Sequence, residues 1–166
     1  TRLVRELGAV AVVGHLAVLH GTETLYLVKV DGQRKLPLVT EVGVRLPAAL
    51  TASGRAILAA EALAQVRAAF IVPTAFVNRT GRGPLNWPAL RALLESERAA
   101  GFSIEEGFIA EGFSSVAVPV RDHLHQPIAA IGLTFNAADL TAPRRRQAIA
   151  EAKRTAAALS HRLGER

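Results

Sequence analysis

Between Leu46 and Leu58 the chain reads LPAALTASGRAIL, and this run holds the first residues with a chemical use. A helix that begins near Thr51 leaves the backbone N–H groups around Ala52, Ser53 and Gly54 without intrahelical partners. Those amides, with the positive end of the helix dipole, favour a carboxylate or a phosphate. Taken alone, the same residues also make an ordinary capped helix. The second stretch is Gly112–Thr134, GFSSVAVPVRDHLHQPIAAIGLT, two apolar runs around a polar turn, the pattern of a buried β-hairpin. Strand side chains alternate, so Ser115 and Ala117 share one face of the first strand, and Ala130, Gly132 and Thr134 one face of the second. With an even-numbered turn around His123 and Leu124, Ser115 is expected opposite Gly132 and Ala117 opposite Ala130. Small, weakly polar residues inside an apolar hairpin leave a hollow suited to a small molecule. Glu105, an acid in an apolar setting just upstream, either accepts a hydrogen bond from a ligand hydroxyl or is a surface strand residue.

The catalytic alternatives find little support. The chain has no cysteine nucleophile, no GxSxG elbow, no GxxxxGK loop and no HExxH pair. His15 and His20 lie five apart on an extended run and face opposite ways, so they cannot share a metal. His123 and His125 fall in a solvated turn without a third ligand. The side chains of Glu105 and Glu106 diverge in an extended segment and do not form a general acid/base dyad. No metal or cofactor is expected.

The elements that must position these residues follow from periodicity and breakers. Ala9 to His20 and Thr24 to Val30 read as strands joined by a turn at His20–Glu23. Short extended runs are expected at Leu36–Val39 and Val42–Leu46. Thr51 opens a helix through Ala60, and a second short helix is expected between Glu61 and Phe70. Ile71 to Gly83 is irregular. Asn86 caps the next helix, with Pro88 in its first turn and Trp87, Leu90 and Leu94 on its buried face. Phe102–Ala110 reads as extended. Thr141 and Pro143 begin a long helix to Leu163 with a stripe of Ile149, Ala152, Ala156, Leu159 and Leu163. Strand pairs, a helical middle, then strands before a terminal helix imply an α+β fold with a mainly antiparallel sheet.

At 166 residues, 50% hydrophobic and 20% charged, the chain suits one domain with a sizeable core. The net charge of +6 is spread along the chain, and only Arg144–Arg146 forms a cluster. With aromatics at 5%, a stacking platform for single-stranded nucleic acid is not expected. No run is long and apolar enough for a membrane helix, and the reading is a cytoplasmic protein. The chain has no methionine and opens on Thr1, which reads as part of a longer protein.

Four blocks in this order resemble the effector-binding domain of IclR-type bacterial transcription regulators. They are HLAVLHGTETLYL from His15, VGVRLP from Val42 leading to TASGRAILA from Thr51, EGFSSVAVPVRD from Glu111, and the terminal helix ending at Leu163-Gly164. The resemblance implies a GAF-like fold, a curved antiparallel sheet with helices on both sides, over residues 1–166. It implies a sensing domain that binds a small carboxylate-bearing effector, works as a homodimer or homotetramer, and meets promoter DNA only through an N-terminal winged helix-turn-helix absent from this chain. Carried over position by position, the anchoring amides fall on Ala52 and Ser53, the acidic contact on Glu105, a polar contact on Ser115, and two small hydroxyl positions on Gly132 and Thr134. Leu36 and Leu38 supply an apolar wall. Two departures stand out. Gly132 lacks a hydroxyl and is expected to enlarge the cavity, and Phe108 replaces a common Glu and is expected to make the pocket more apolar. The turn after Asp122 carries His125 where the family has glycine. The alternatives from other classes are a small GAF-like hydrolase or isomerase and a stand-alone interaction module.

Overall fold

The computed structural model describes residues 2–5, 7–8, 10–38 and 41–165. Helix α1 (Arg2–Arg5) precedes the hairpin of β1 (Val12–His20) and β2 (Glu23–Asp31), which turns at Gly21 with a positive φ of 64°. Strand β3 (Arg45–Pro47) is short. Next come α2 (Ala52–Ala60), α3 (Leu63–Ala69), a 3₁₀ turn at Pro73–Ala75 and α4 (Trp87–Ala100). Strands β4 (Ser103–Glu106), β5 (Phe113–Arg121) and β6 (Pro127–Asn136) follow, then α5 (Ala142–Arg162). The strands form one six-stranded sheet in the order β3-β2-β1-β6-β5-β4, with every pairing antiparallel.

Local chemistry sets the helix ends. Thr51 Oγ1 accepts the Gly54 amide at 3.0 Å, and Asn86 Oδ1 accepts the Ala89 amide at 2.9 Å. Gly101, with φ 77°, closes α4 in the left-handed conformation. The strands are shorter than their apolar runs. Gly107 turns the chain at φ 73°, so only Ser103–Glu106 of the expected Phe102–Ala110 run pairs. Leu36 to Leu38 forms no strand, because the Leu38 amide folds back on the Leu36 carbonyl at 2.8 Å in a three-residue turn. Ala9 and Val39, the outer ends of two expected strands, lie outside the described residues.

The sheet is covered on both sides. One face buries Val12, Val116, Val118, Ile131, Leu133 and Phe135 against Ala148, Ala152 and Ala156 of α5. The fourth buried position on that helix is Ser160, which shifts the expected stripe by about one residue and leaves Leu163 exposed. Ser160 Oγ accepts the Arg121 amide at 2.9 Å, beside the break in the β5–β6 ladder. The opposite face meets α2 mainly through small residues, Ala52 and Ala56 on the helix and Ala117 and Ala130 on the sheet, joined by Ile57.

The β5–β6 register differs from expectation by two residues: Ser115 pairs with Thr134 and Ala117 with Gly132. Two single-residue steps make the difference. The Asp122 amide bonds the Gln126 carbonyl around a three-residue turn, His123 to His125, which the Asp122 carboxylate holds through the Leu124 and Gln126 amides with His125 at φ 59°. The ladder then skips Ile128 in a bulge between the Arg121–Pro127 and Val120–Ala129 pairs.

Arg55 of α2, fully buried, ties the middle of the molecule together. Its guanidinium donates to Glu97 of α4 at 3.1 and 3.2 Å, to the Ala49 carbonyl at 3.1 Å and to the Ile104 carbonyl of β4 at 2.5 Å. Removing the anion would leave this cation buried without its charge partner. Glu97→Ala is therefore expected to lower stability by about 3 kcal/mol, measured by urea denaturation.

Gly132 makes a second expectation. A Cβ built on it would lie 2.5 Å from Ser53 Oγ. Gly132→Ala should cost about 1 kcal/mol through this overlap. Ser53→Ala should relieve it, so that the double variant shows a coupling of about 1 kcal/mol in the same denaturation assay.

Candidate functional site

A cavity with about 470 Å³ of atom-free space, its open mouth included, lies between the start of α2 and the sheet face that α2 covers. The pairing of three strands lines up Glu105, Ser115 and Thr134 across β4, β5 and β6. Ser115 Oγ and Thr134 Oγ1 are 2.7 Å apart. Glu105 is buried, and one carboxylate oxygen accepts the amides of Phe108 and Ile109. Burial pushes its pKa above the ordinary carboxylate range, while those amides, Arg55 and Ser115 draw it back. Above this row, α2 presents the Ala52 and Ser53 amides, which have no acceptor within the helix. The capping that orients them reaches the sheet, since Thr51 Oγ1 lies 2.7 Å from Thr24 Oγ1 of β2. Gly54 makes room for that contact: a Cβ there would run into Thr24, Thr51 and the Ala48 carbonyl.

Of the residues singled out from the sequence, Ala52, Ser53, Glu105, Ser115, Gly132, Thr134 and Leu38 line the cavity. Leu36 and Phe108 do not. The tight turn between Leu36 and Leu38 keeps them from sharing a wall, and Leu36 is buried elsewhere. The Phe108 ring lies over the Arg55 guanidinium, 5.1 Å from ring centre to Cζ, so Ile109 and Ala110 take the wall instead. They are held by the preceding irregular segment, where Thr80 Oγ1 donates to the Gly107 carbonyl at 2.6 Å and Arg79 Nε to the Ile109 carbonyl at 3.1 Å. Gly132 does not enlarge the cavity: the Ser53 hydroxyl stands over it and supplies from the helix the oxygen that the strand lacks.

Sequence reasoning missed the β1–β2 side of the cavity, formed by His15 and Tyr26. Their rings are tilted at 57° with centroids 4.8 Å apart. His15 is 6% exposed and its Nε2 has no hydrogen-bond partner. Burial, followed by the charge of Lys29, lowers its pKa to about 4, so the ring is neutral at physiological pH. Strand alternation already placed His15 on the face of Val13 and Ala17. Its relation to the cavity needed the His15–Gly132 pairing, which joins segments more than a hundred residues apart.

The site brings together helix amides that can donate, a carboxylate and hydroxyls that can accept, and an apolar remainder from Leu38, Leu46, Ile109 and Phe113. The Ser115 hydroxyl is bonded to Thr134 and not to an imidazole base. Among the described residues no three His, Asp or Glu side chains converge as metal ligands, and no helix is long and apolar enough to cross a membrane. Two arginines of the Arg144–Arg146 cluster are paired within the chain, Arg145 with Glu106 of β4 at 2.7 Å and Arg144 with the Asp139 carbonyl at 2.5 Å.

The His15 shift has a consequence for stability. Between pH 6.5 and about 4 the unfolded chain binds a proton that the folded imidazole refuses, so stability is complete above that window and falls as pH is lowered through it. From pH 7 to pH 5 the loss from this group is about 2 kcal/mol. Glu105 and Glu97, whose pKa values are raised, act in the opposite sense as acid is added. The check is a difference: His15→Phe should flatten the acid side of the stability–pH curve relative to the unaltered chain.

The family model "Bacterial transcriptional regulator IclR C-terminal" matches residues 1–161. The HTH-type transcriptional regulator XynR of Escherichia coli K12 is 29% identical over 120 residues, 72% of this chain and 47% of that protein. The glycerol operon regulatory protein of Streptomyces coelicolor is 30% identical over 123 residues, covering 72% and 46%. This chain thus spans about half the length of such relatives. The crystal structure of the Thermotoga maritima IclR superposes with a TM-score of 0.87 at 26% identity, over 98% of this chain and 65% of that one. The fold is also that of the C-terminal domain of the E. coli regulator KdgR, with a TM-score of 0.82, 23% identity and 99% of both chains covered. With the fold, the cavity and a family match over nearly its whole length, the chain belongs to the IclR family of bacterial transcriptional regulators, as their C-terminal domain.

Proposed function

We propose that residues 1–166 are the effector-sensing domain of the regulator and that the cavity under α2 is the effector site. The observation that carries the reading is the convergence, in one cavity, of the free amides of Ala52 and Ser53 with Glu105, Ser115 and Thr134. An anion is held where amides and the helix dipole point, and a group that donates a hydrogen bond is held by the carboxylate–hydroxyl row. The helix amides and the aliphatic and aromatic walls together suit a small carboxylate with an apolar body. No cofactor takes part, and the domain senses without turning its ligand over.

The whole regulator works in the cytoplasm as a homodimer or homotetramer and reaches promoter DNA through a winged helix-turn-helix outside these residues. The effector acts by binding one arrangement of the oligomer better than another.

A thermal-shift screen of carboxylate metabolites tests the site. A ligand at a hundredfold its Kd should raise Tm by roughly 5–10 °C. Ser115→Val and Glu105→Gln should each reduce the shift. Gln is the better replacement, because its amide oxygen still accepts the Phe108 and Ile109 amides that shape the wall. Full shifts in both variants, or turnover of the bound acid, would refute the assignment.

A further inference from the structure

The amides of α2, Ser53 and the row from Glu105 to Thr134 occupy the β4–β6 side and the middle of the cavity. The β1–β2 side holds two further polar side chains, His15 and Tyr26, and of these the His15 imidazole has a nitrogen that nothing meets. His15 sits beside Gly132 in the pairing of β1 with β6, so its strand is next to the one over which the Ser53 hydroxyl stands. On its other side β2 brings Tyr26, whose ring packs on the imidazole. The imidazole is 6% exposed, and its Nε2 has no partner. A buried polar nitrogen left unmet is destabilising, and an apolar side chain would fill the same space against Tyr26 at less cost. Nothing in the packing needs a nitrogen there. Neighbouring strands are about 4.8 Å apart, so a ligand held under Ser53 reaches the His15 side within one strand spacing, whereas Ser115 is two strands away from it. A neutral imidazole has one donor and one acceptor nitrogen, and a hydroxyl matches either.

We propose that His15 contacts the effector and determines its specificity. The imidazole exchanges a hydrogen bond with a hydroxyl on the β1 side of the ligand, so that the cavity selects hydroxylated carboxylic acids over their unsubstituted parents. This rests on the carboxylate-sensing reading above, and extends it from the anion to the body of the ligand.

The test uses matched acids: benzoate against 3- and 4-hydroxybenzoate, and butanoate against 3-hydroxybutanoate, titrated calorimetrically into the 166-residue chain. The hydroxylated member of at least one pair should bind about tenfold more tightly. In His15→Phe that preference should vanish, the affinities of the hydroxy acid and its parent falling within about twofold of each other. The chain has 5 histidines, so ¹⁵N spectra of the unaltered protein give a readout that needs no variant. The His15 ring resonances should move with the hydroxy acid and stay in place with its parent. A preference that survives His15→Phe, parents that bind as tightly as hydroxy acids, or a His15 signal indifferent to both would overturn the proposal and leave the carboxylate reading standing. If no acid binds at all, both fall.

Discussion

The close approach of α2 to the sheet is the constraint on which the rest of the molecule depends. A helix laid on a sheet normally stands off by the thickness of its side chains. Here the meeting layer is mostly alanine, Ala52, Ala56, Ala117 and Ala130, with Ile57 and Leu19 its large members, Gly132 beneath Ser53 and Gly54 beside Thr24. That thin layer lets the first turn of the helix reach the polar row of the hairpin. The amides, the helix hydroxyl and the carboxylate then enclose one small volume instead of facing one another across a thick apolar layer.

A helix start drawn so close must be held from behind. Thr51 caps it and touches Thr24, and Arg55, one turn on, is clamped between α4, β4 and the Ala49 carbonyl. A buried cation is costly in isolation, and the bonds it makes answer most of that cost. It also fixes the angle of α2 relative to two other elements. Phe108 belongs to this scaffold, since its ring covers the guanidinium, and its removal from the cavity wall follows from that role.

Much of this was readable from residue order because it is local. The caps at Thr51 and Asn86, the alternation that put Ser115 and Thr134 on one face, and the left-handed fitness of His125 all depend on a few neighbours in sequence. What escaped depends on distant partners or on turns. The two-residue change of hairpin register came in equal parts from the three-residue turn that the Asp122 carboxylate holds and from the bulge at Ile128 in the ladder beyond it. The vacancy at Gly132 was filled from a helix about eighty residues earlier, and the significance of His15 waited on its pairing with that same glycine. Periodicity states which face a side chain takes, and it is silent on what arrives from the other side.

The Ser53–Gly132 pair also limits how this site can change over time. One oxygen stands over the last strand, and it can be carried by the helix or by the strand. The two compete for that space, because even a methyl group at 132 meets the Ser53 oxygen unless the serine turns aside. A lineage that moves the hydroxyl from the helix to the strand avoids that overlap by losing it from the helix first, and then passes through a form with neither. That intermediate has a wider, less polar chamber, and it is the point at which a regulator of this design is free to acquire a different ligand.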